Sequence, residues 1–249
     1  MHLKSRMKAA IGRLIPTDLA EKLAEYSIAQ REPSVSLANS VPIVLPGTSW
    51  MDVVERGRQE LWRRAIEMVG GGDLLLLEFG VWQGYSMDVF RRLSPAPGSR
   101  FFGFDSFEGL PEAWRGMKAG NFSTGGKIPD IDDPRVEFVK GWFQDTLPGQ
   151  MDRLAALADG RTLIVHFDAD LYSSTLFLLC TLTQRFREFH CVFDEFSGHE
   201  LRALYNFIQA FGARCDFHYH VPWRGDPTTA FAKLTMPDRL APGQAVSVR

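Results

Sequence analysis

The sequence predicts an α/β fold: a mostly parallel sheet with helices on both faces and an antiparallel hairpin at one edge. Three observations predict it. Leu74-Leu75-Leu76-Leu77 is an unbroken apolar run of strand length, the pattern of a strand buried on both faces. It leads into Glu78-Phe79-Gly80-Val81-Trp82-Gln83-Gly84-Tyr85-Ser86, after which Met87, Val89, Phe90 and Leu93 recur at helical spacing. Near the end of the chain, two alternating stretches at about 214–221 and 229–234 are joined through Gly225-Asp226-Pro227 as a hairpin-like edge.

Composition bounds the rest. At 249 residues, 45% hydrophobic and 12% aromatic, the chain can bury a full core. Residues 1–48 read as an arm, a helix and a connector that together form a lid, and 49–249 as the main domain. Charge is nearly balanced, with 28 basic and 30 acidic residues, so no global electrostatic argument favours nucleic acid as a partner. Cys180, Cys191 and Cys215 are odd in number, lie in apolar surroundings and lack C-x-x-C spacing. That pattern favours buried, reduced thiols in a cytoplasmic protein over disulfides or a zinc site. No apolar run has the length of a membrane span, and Met1–Ile15 lacks a signal-peptide core.

Taken in order, Met1–Ile15 carries Lys4, Arg6, Lys8 and Arg13 without an acid. It reads as a lid-forming terminus or as a basic arm for a membrane or anionic partner. A helix is expected over about 18–30, then a connector rich in Pro, Ser and Asn over 31–47. Ser49 and Asp52 resemble a capping pair, beyond which Val54, Leu61, Ala65 and Met68 mark the buried face of a helix. The 74–80 strand and its helix follow. The second strand, Arg100–Asp105, ends in an acid placed to accept hydrogen bonds from a ribose diol. The glycine turn lacks the third glycine of a dinucleotide fingerprint, so a nucleoside fits better than a dinucleotide. Residues 113–134 have no periodicity and read as a functional loop or lid. A third strand over 136–139 precedes Gly141-Trp142-Phe143, an aromatic pair that either flanks an adenine or belongs to the core. Strands at 163–167 and 191–193 and helices at about 173–186 and 201–211 complete the pattern before the hairpin. The count is seven strands.

Asp168, Asp170, Asp194 and Glu195 all fall at carboxyl ends of strands expected to be neighbours. Helix capping accounts for one or two such acids but hardly for four. Four converging carboxylates repel one another unless a cation or protons offset the charge, and oxygen ligands favour Mg²⁺, with Mn²⁺ or Ca²⁺ as alternatives. His166, inside a strand, reads as a core histidine. His199 lies nearer the mouth of the site and is a rival to Asp170 as general base.

Glu78–Ser86, Asp105–Pro111, Gly141–Pro148, Asp168–Thr175 and Asp194–Phe196 occur in an order similar to that of the macrocin/novobiocin-type sugar O-methyltransferases. The resemblance covers about 73–234, and Asp168-Ala169-Asp170-Leu171-Tyr172-Ser173-Ser174-Thr175 is its most specific element. It implies a Rossmann-like class I methyltransferase fold for 49–249, using S-adenosyl-L-methionine and Mg²⁺ (or Mn²⁺). The acceptor would be a sugar or glycoside hydroxyl, and a homo-oligomer is compatible with the family. By the same resemblance Glu78, Gly80, Gly84 and Ser86 surround the methionine moiety, Asp105 with Ser106 holds the ribose, and Gly141, Trp142 and Phe143 lie by the adenine. Asp168, Asp194 and Glu195 bind the metal, Asp168 also bordering the cofactor, and Asp170 is the candidate base. Two features depart from the family pattern. Glu195 stands where the second acid is usually Asp, and the segment after Phe196 is short, running at once into Gly198-His199-Glu200. The competing readings are a non-catalytic, regulatory nucleotide-binding domain and a hydroxylase-like relative on the same scaffold.

Overall fold

The computed structural model describes residues 35–238 apart from Thr48 and Ser197. The basic segment 1–15 and the helix expected over 18–30 therefore lie outside the described residues. The strands are β1 (Val41–Pro42), β2 (Leu74–Phe79), β3 (Arg100–Asp105), β4 (Val136–Lys140), β5 (Thr162–Phe167), β6 (Glu188–Phe193), β7 (Arg214–Trp223) and β8 (Asp226–Thr235). The helices are α1 (Arg56–Met68), α2 (Tyr85–Leu93), α3 (Phe143–Ala158), α4 (Tyr172–Leu182) and α5 (His199–Phe211).

One sheet contains all eight strands in the order β1-β7-β8-β6-β5-β2-β3-β4. The seven expected strands are present; the eighth, β1, is a two-residue piece of the connector paired parallel with β7. Only β8 runs antiparallel, to both β6 and β7. Strand order reverses between β2 and β5, whose register sets Glu78 beside His166 and Phe79 beside Phe167. In open α/β sheets the ligand crevice lies outside the carboxyl ends of the strands at such a reversal.

Because successive side chains alternate across the sheet, β2 feeds two cores. Leu75, Leu77 and Phe79 pack with the apolar faces of α3, α4 and α5. Leu74 and Leu76 pack on the other side with Leu61, Trp62, Ala65 and Ile66 of α1 and with Met87 and Phe90 of α2. The capping pair before α1 forms as expected: the Asp52 N–H donates to Ser49 Oγ at 3.1 Å, and that hydroxyl donates to Asp52 Oδ2 at 2.7 Å. It caps a π-helical turn, Met51–Glu55, that runs directly into α1. The three cysteines are free thiols. Among the described residues no helix is long and apolar enough to cross a membrane.

His190 of β6 stacks on Phe231 of β8, with ring centroids 5.5 Å apart. Burial, with Lys233 and His218 nearby, pushes its imidazole from the ordinary 6.5 down to about 4. Between those values the unfolded chain holds a proton that the folded chain refuses, so this residue's contribution is present above pH 6.5 and is lost as pH falls towards 4. His190→Phe removes the titrating group while keeping a ring for Phe231. Thermal unfolding of both proteins from pH 7.5 to 4.5 should show the stability of the variant gaining on the wild type as pH falls, whereas a pH-independent difference contradicts the assignment.

Candidate functional site

The carboxyl ends of β2, β3, β5 and β6 open into a cleft of about 320 Å³. Gly80, Asp105, Ser106, Trp142, Phe143, Asp168, Asp170, Asp194 and Glu195 all line it. Nine of the positions singled out in the sequence therefore share one cavity. Gly80 fits for a steric reason: its φ is +93°, and a Cβ there would stand 1.9 Å from the carbonyl oxygen of Asp168. The backbones at the ends of β2 and β5 touch at the point where strand order reverses.

Asp105 is committed to the turn that forms the cleft floor. Its Oδ2 accepts the N–H groups of Val81 and Trp82, both at 2.8 Å, and its Oδ1 accepts the Phe107 N–H at 2.7 Å. Gly141 donates its N–H to the Asp105 carbonyl at 2.9 Å and adopts φ +144° next to Trp142. Gly84, at φ +81°, caps α2 against Pro129, where a Cβ would come within 2.8 Å. Neither Gly84, Ser86 nor Gly141 borders the cavity itself.

Glu78 points elsewhere. It shares the face of Leu74 and Leu76, is fully buried, and its Oε1 pairs with His166 Nδ1 at 2.9 Å. His166 is enclosed by the rings of Trp62 and Phe90, with centroids 5.7 and 5.3 Å away. Beyond it, Nε2 lies 3.6 Å from Asp194 Oδ1, and the other Asp194 oxygen pairs with Arg58 at 3.0 Å. Glu78, His166, Asp194 and Arg58 thus form a buried chain of alternating charge from the strand ends to α1. Burial opposes a charge on His166, but Asp194 and Glu78 outweigh it and raise the imidazole to about 10. Asp194 is also buried, and there Arg58 and His166 prevail and hold the carboxyl below the ordinary range.

The remaining acids are displaced the other way. Burial and the neighbouring Asp194 charge push Asp168 well above the usual carboxyl range. Burial, then Glu195 and Asp194, raise Asp170 to about 7, and this residue sits at φ +59°. Burial likewise raises Glu195 despite its 2.8 Å contact with Arg115. Glu200, fully buried, is raised well above its ordinary value by burial and by the same acids, and its Oε2 accepts the Glu195 N–H at 3.1 Å. The ligand atoms of His166, Asp168 and Asp194 lie within 4.8 Å of one another, a spacing that suits one cation; Glu195 is held apart by Arg115. His199 Nδ1 faces the Tyr172 N–H at 3.4 Å, at the start of α4, and does not border the cleft.

Several cleft residues were not singled out in the sequence. Arg58 was readable: it falls in line with Val54, Leu61 and Ala65, so a charge occupies the buried stripe of α1. Trp82, Trp114 and Phe122 form an aromatic wall, with Phe122 in edge contact with both tryptophans. Trp114, Arg115 and Phe122 sit on the long 113–134 segment, where no periodic signal exists. That segment is well tied: Leu110 and Asn121 bond through their backbones, and Thr124 Oγ1 donates to the Lys127 carbonyl at 2.7 Å.

Comparison with known proteins adds a family to this geometry. The model of a family described as macrocin-O-methyltransferase (TylF) matches residues 43–219. The chain belongs to that macrocin-O-methyltransferase family. Two relatives are similar in sequence. One, 8-demethyl-8-(2,3-dimethoxy-alpha-L-rhamnosyl)-tetracenomycin-C 4'-O-methyltransferase of Streptomyces olivaceus, is 33% identical over 135 residues, covering 44% of this chain and 48% of the relative. The other, demethyldecarbamoylnovobiocin O-methyltransferase of Streptomyces niveus, is 30% identical over 142 residues, covering 47% of this chain and 51% of the relative. The chain thus matches about half the length of these relatives. The solved structure of the O-methyltransferase NovP shares the fold with a TM-score of 0.53, at 22% identity, over 88% of this chain and 95% of that one. The family match runs from the residue after β1 into β7 and so includes the strands that border the cleft.

The Arg58–Asp194 pair generates a prediction. Removing one partner of a buried ion pair strands the other charge, at a cost of about 3–5 kcal/mol. In metal-free protein, Arg58→Met should lower the unfolding free energy by about that amount, and adding Asp194→Asn should recover a large part of it. Strictly additive losses in a urea double-mutant cycle would show that the two side chains are not coupled.

Proposed function

We propose that this protein is an S-adenosyl-L-methionine-dependent O-methyltransferase acting on a hydroxyl of a sugar or glycosylated natural product, with a divalent cation, Mg²⁺ or Mn²⁺, in its acidic cluster. The observation that carries the reading is the meeting of the Asp105 turn and the Asp168-Asp170-Asp194 cluster in one cleft at the sheet's strand-order reversal. The family match and the names of the two relatives support it.

In this reading the cofactor would lie against Gly80, which lines the cleft and whose missing side chain lets the ends of β2 and β5 meet beneath it. Asp105 keeps one lone pair of Oδ1 for a ribose hydroxyl while its other acceptor positions hold the turn. Trp142 and Phe143 border the adenine, and Ser106 stands at the ribose end. Trp82, Trp114 and Phe122 offer the acceptor an apolar wall. Asp168 and Asp194 would hold the cation, with Glu195 joining when Arg115 releases it. The chemistry of the donor set fits: oxygen ligands, partly unpaired, in a place where burial and mutual repulsion penalise their charge. When bound, such a cation orients neighbouring acceptor hydroxyls and lowers their pKa.

Methyl transfer then needs an acceptor oxygen in line with the sulfonium methyl and a base for its proton. Asp170 suits that role. It lines the cleft beside the acids assigned to the cation, where a carboxylate can take the proton of an acceptor hydroxyl. A bound methyl donor would supply the sulfonium methyl, and Asp170 would take the proton that the acceptor hydroxyl gives up. The 113–134 segment, tied by its own hydrogen bonds, walls the cofactor and acceptor from solvent in this reading.

Calorimetry with S-adenosylhomocysteine tests the site residue by residue. Asp105→Ala should weaken binding by about 1.5–3 kcal/mol, the loss expected for hydrogen bonds to a charged group. Asp170→Asn should bind the same ligand as the wild type does, yet transfer methyl groups to an accepted glycoside about 10²–10⁴ times more slowly. Unchanged affinity in a folded Asp105 variant, or full turnover in the Asp170 variant, would contradict these roles.

A further inference from the structure

One buried group that faces the acidic cluster has no part in the reading above. We propose that the His166 imidazole is a nitrogen ligand of the same cation, oriented by Glu78, and that the site consequently prefers a transition-metal dication such as Mn²⁺ or Co²⁺ over Mg²⁺. The inference depends on the cation reading given under Proposed function and assigns it a ligand outside the carboxylates.

Four observations converge. First, His166 is fully buried yet its Nε2 has no hydrogen-bond partner among the described residues, and the same is true of Asp194 Oδ1. Such atoms are costly to leave unmatched. Second, the two atoms face each other at 3.6 Å, too far for a hydrogen bond. Two ligands each about 2.1–2.2 Å from one ion can stand that far apart. Third, an Asp168 carboxylate oxygen completes a group of three ligand atoms within 4.8 Å of one another. Fourth, the ring is aimed. Nδ1 donates to Glu78 Oε1 at 2.9 Å, which turns Nε2 towards the cluster, where a bound ion would take the place of the proton that Glu78 and Asp194 hold on the ring without it, and strand pairing fixes Glu78 directly beside His166. Metal-bound histidines almost always hand their second N–H to a carboxylate or carbonyl in this way.

The surroundings sharpen the geometry. Trp62 and Phe90 close on the imidazole edge-on and prevent it from swinging out. Arg58 occupies the second oxygen of Asp194 at 3.0 Å, so only Oδ1 is presented to an ion. This accounts for an acid at Glu78 that does not border the cleft: it acts on the ligand, as a positioning residue. Replacing an oxygen by an imidazole nitrogen favours Mn²⁺ and the later first-row ions relative to Mg²⁺, which keeps to oxygen donors and water.

The test uses metal-free full-length protein titrated with Mn²⁺ and followed by electron paramagnetic resonance, with spin-echo modulation to detect nitrogen bound to the ion. Wild type should bind one Mn²⁺ with a ¹⁴N coupling of a coordinated imidazole, and Mg²⁺ should compete only at concentrations at least about tenfold higher. His166→Gln should lose the ¹⁴N coupling and bind Mn²⁺ about 10–100-fold more weakly while still binding S-adenosylhomocysteine. Glu78→Gln should weaken Mn²⁺ by a similar factor but keep the ¹⁴N coupling, because the ligand remains and only its support is lost. If His166→Gln does not fold, the wild-type coupling and the Mn²⁺/Mg²⁺ ratio decide. Bound Mn²⁺ without ¹⁴N coupling, or a coupling that persists in His166→Gln, overturns the assignment of His166 and leaves the cation reading intact. Failure to bind either ion overturns both.

Discussion

Charge buried at the strand ends is the constraint on which the rest of the structure depends. Glu78, His166 and Asp194 are enclosed in the layer between the sheet and helices α1 and α2. A lone ion there would cost several kcal/mol, so each must be matched. The register of β2 with β5 matches the first pair, and Arg58 reaching down from α1 matches Asp194. Helix α1 is therefore held to the sheet by both its apolar stripe and this ion pair. Among the described residues, the remaining acids of the cleft form no ion pair with a buried cation. Asp168 and Asp170 are raised by burial and by neighbouring acids, and Glu195 pairs with a loop arginine. The same arrangement that fixes the fold leaves a deficit of positive charge in the cleft, where a cation and a polar substrate can supply it.

Backbone strain gathers at the same place. Trp82, Phe107, Arg115, Phe122 and Asp170 all have positive φ without being glycine, and all lie on the turns and the long loop around the cleft. Such conformations persist only where surrounding contacts over-determine them. The Asp105 carboxylate, accepting three backbone N–H groups, is one such contact for the turn containing Trp82 and for Phe107. The aromatic wall and the candidate base are thus pre-set by the scaffold before any ligand arrives, which reduces the ordering cost of binding.

Much of this was legible in the residues. The four leucines, the glycine turn and the acids that end successive strands predicted a mostly parallel sheet with acids gathered at the carboxyl ends of neighbouring strands, because parallel strands end on one edge whatever their loops do. What the pattern missed follows from its own rules. Alternation along β2 sets Glu78 on the Leu74–Leu76 face, towards His166, and the weight given to its place before the glycines obscured that parity. Arg58 interrupts the apolar stripe of α1, and a single charge in such a stripe does not by itself name its partner. Strand β1 is too short to leave a pattern, and its pairing is set by β7. The side chains of Arg115 and Phe122 are brought in by loop hydrogen bonds that carry no periodic trace. Glu195 lines the same cleft as Asp194 and pairs there with Arg115, a partner from the long loop that no pattern in the sequence announces.

The central claim is that one cleft holds the methyl donor beside a cation-binding acidic cluster. Crystals grown with S-adenosylhomocysteine and MnCl₂, measured near the manganese absorption edge, test it most directly. The account predicts a single anomalous peak within ligand distance of Asp168 and Asp194, with the cofactor sulfur in the same cleft above Gly80. Bound S-adenosylhomocysteine with no anomalous peak, Arg58 and Arg115 alone balancing the acids, would contradict it.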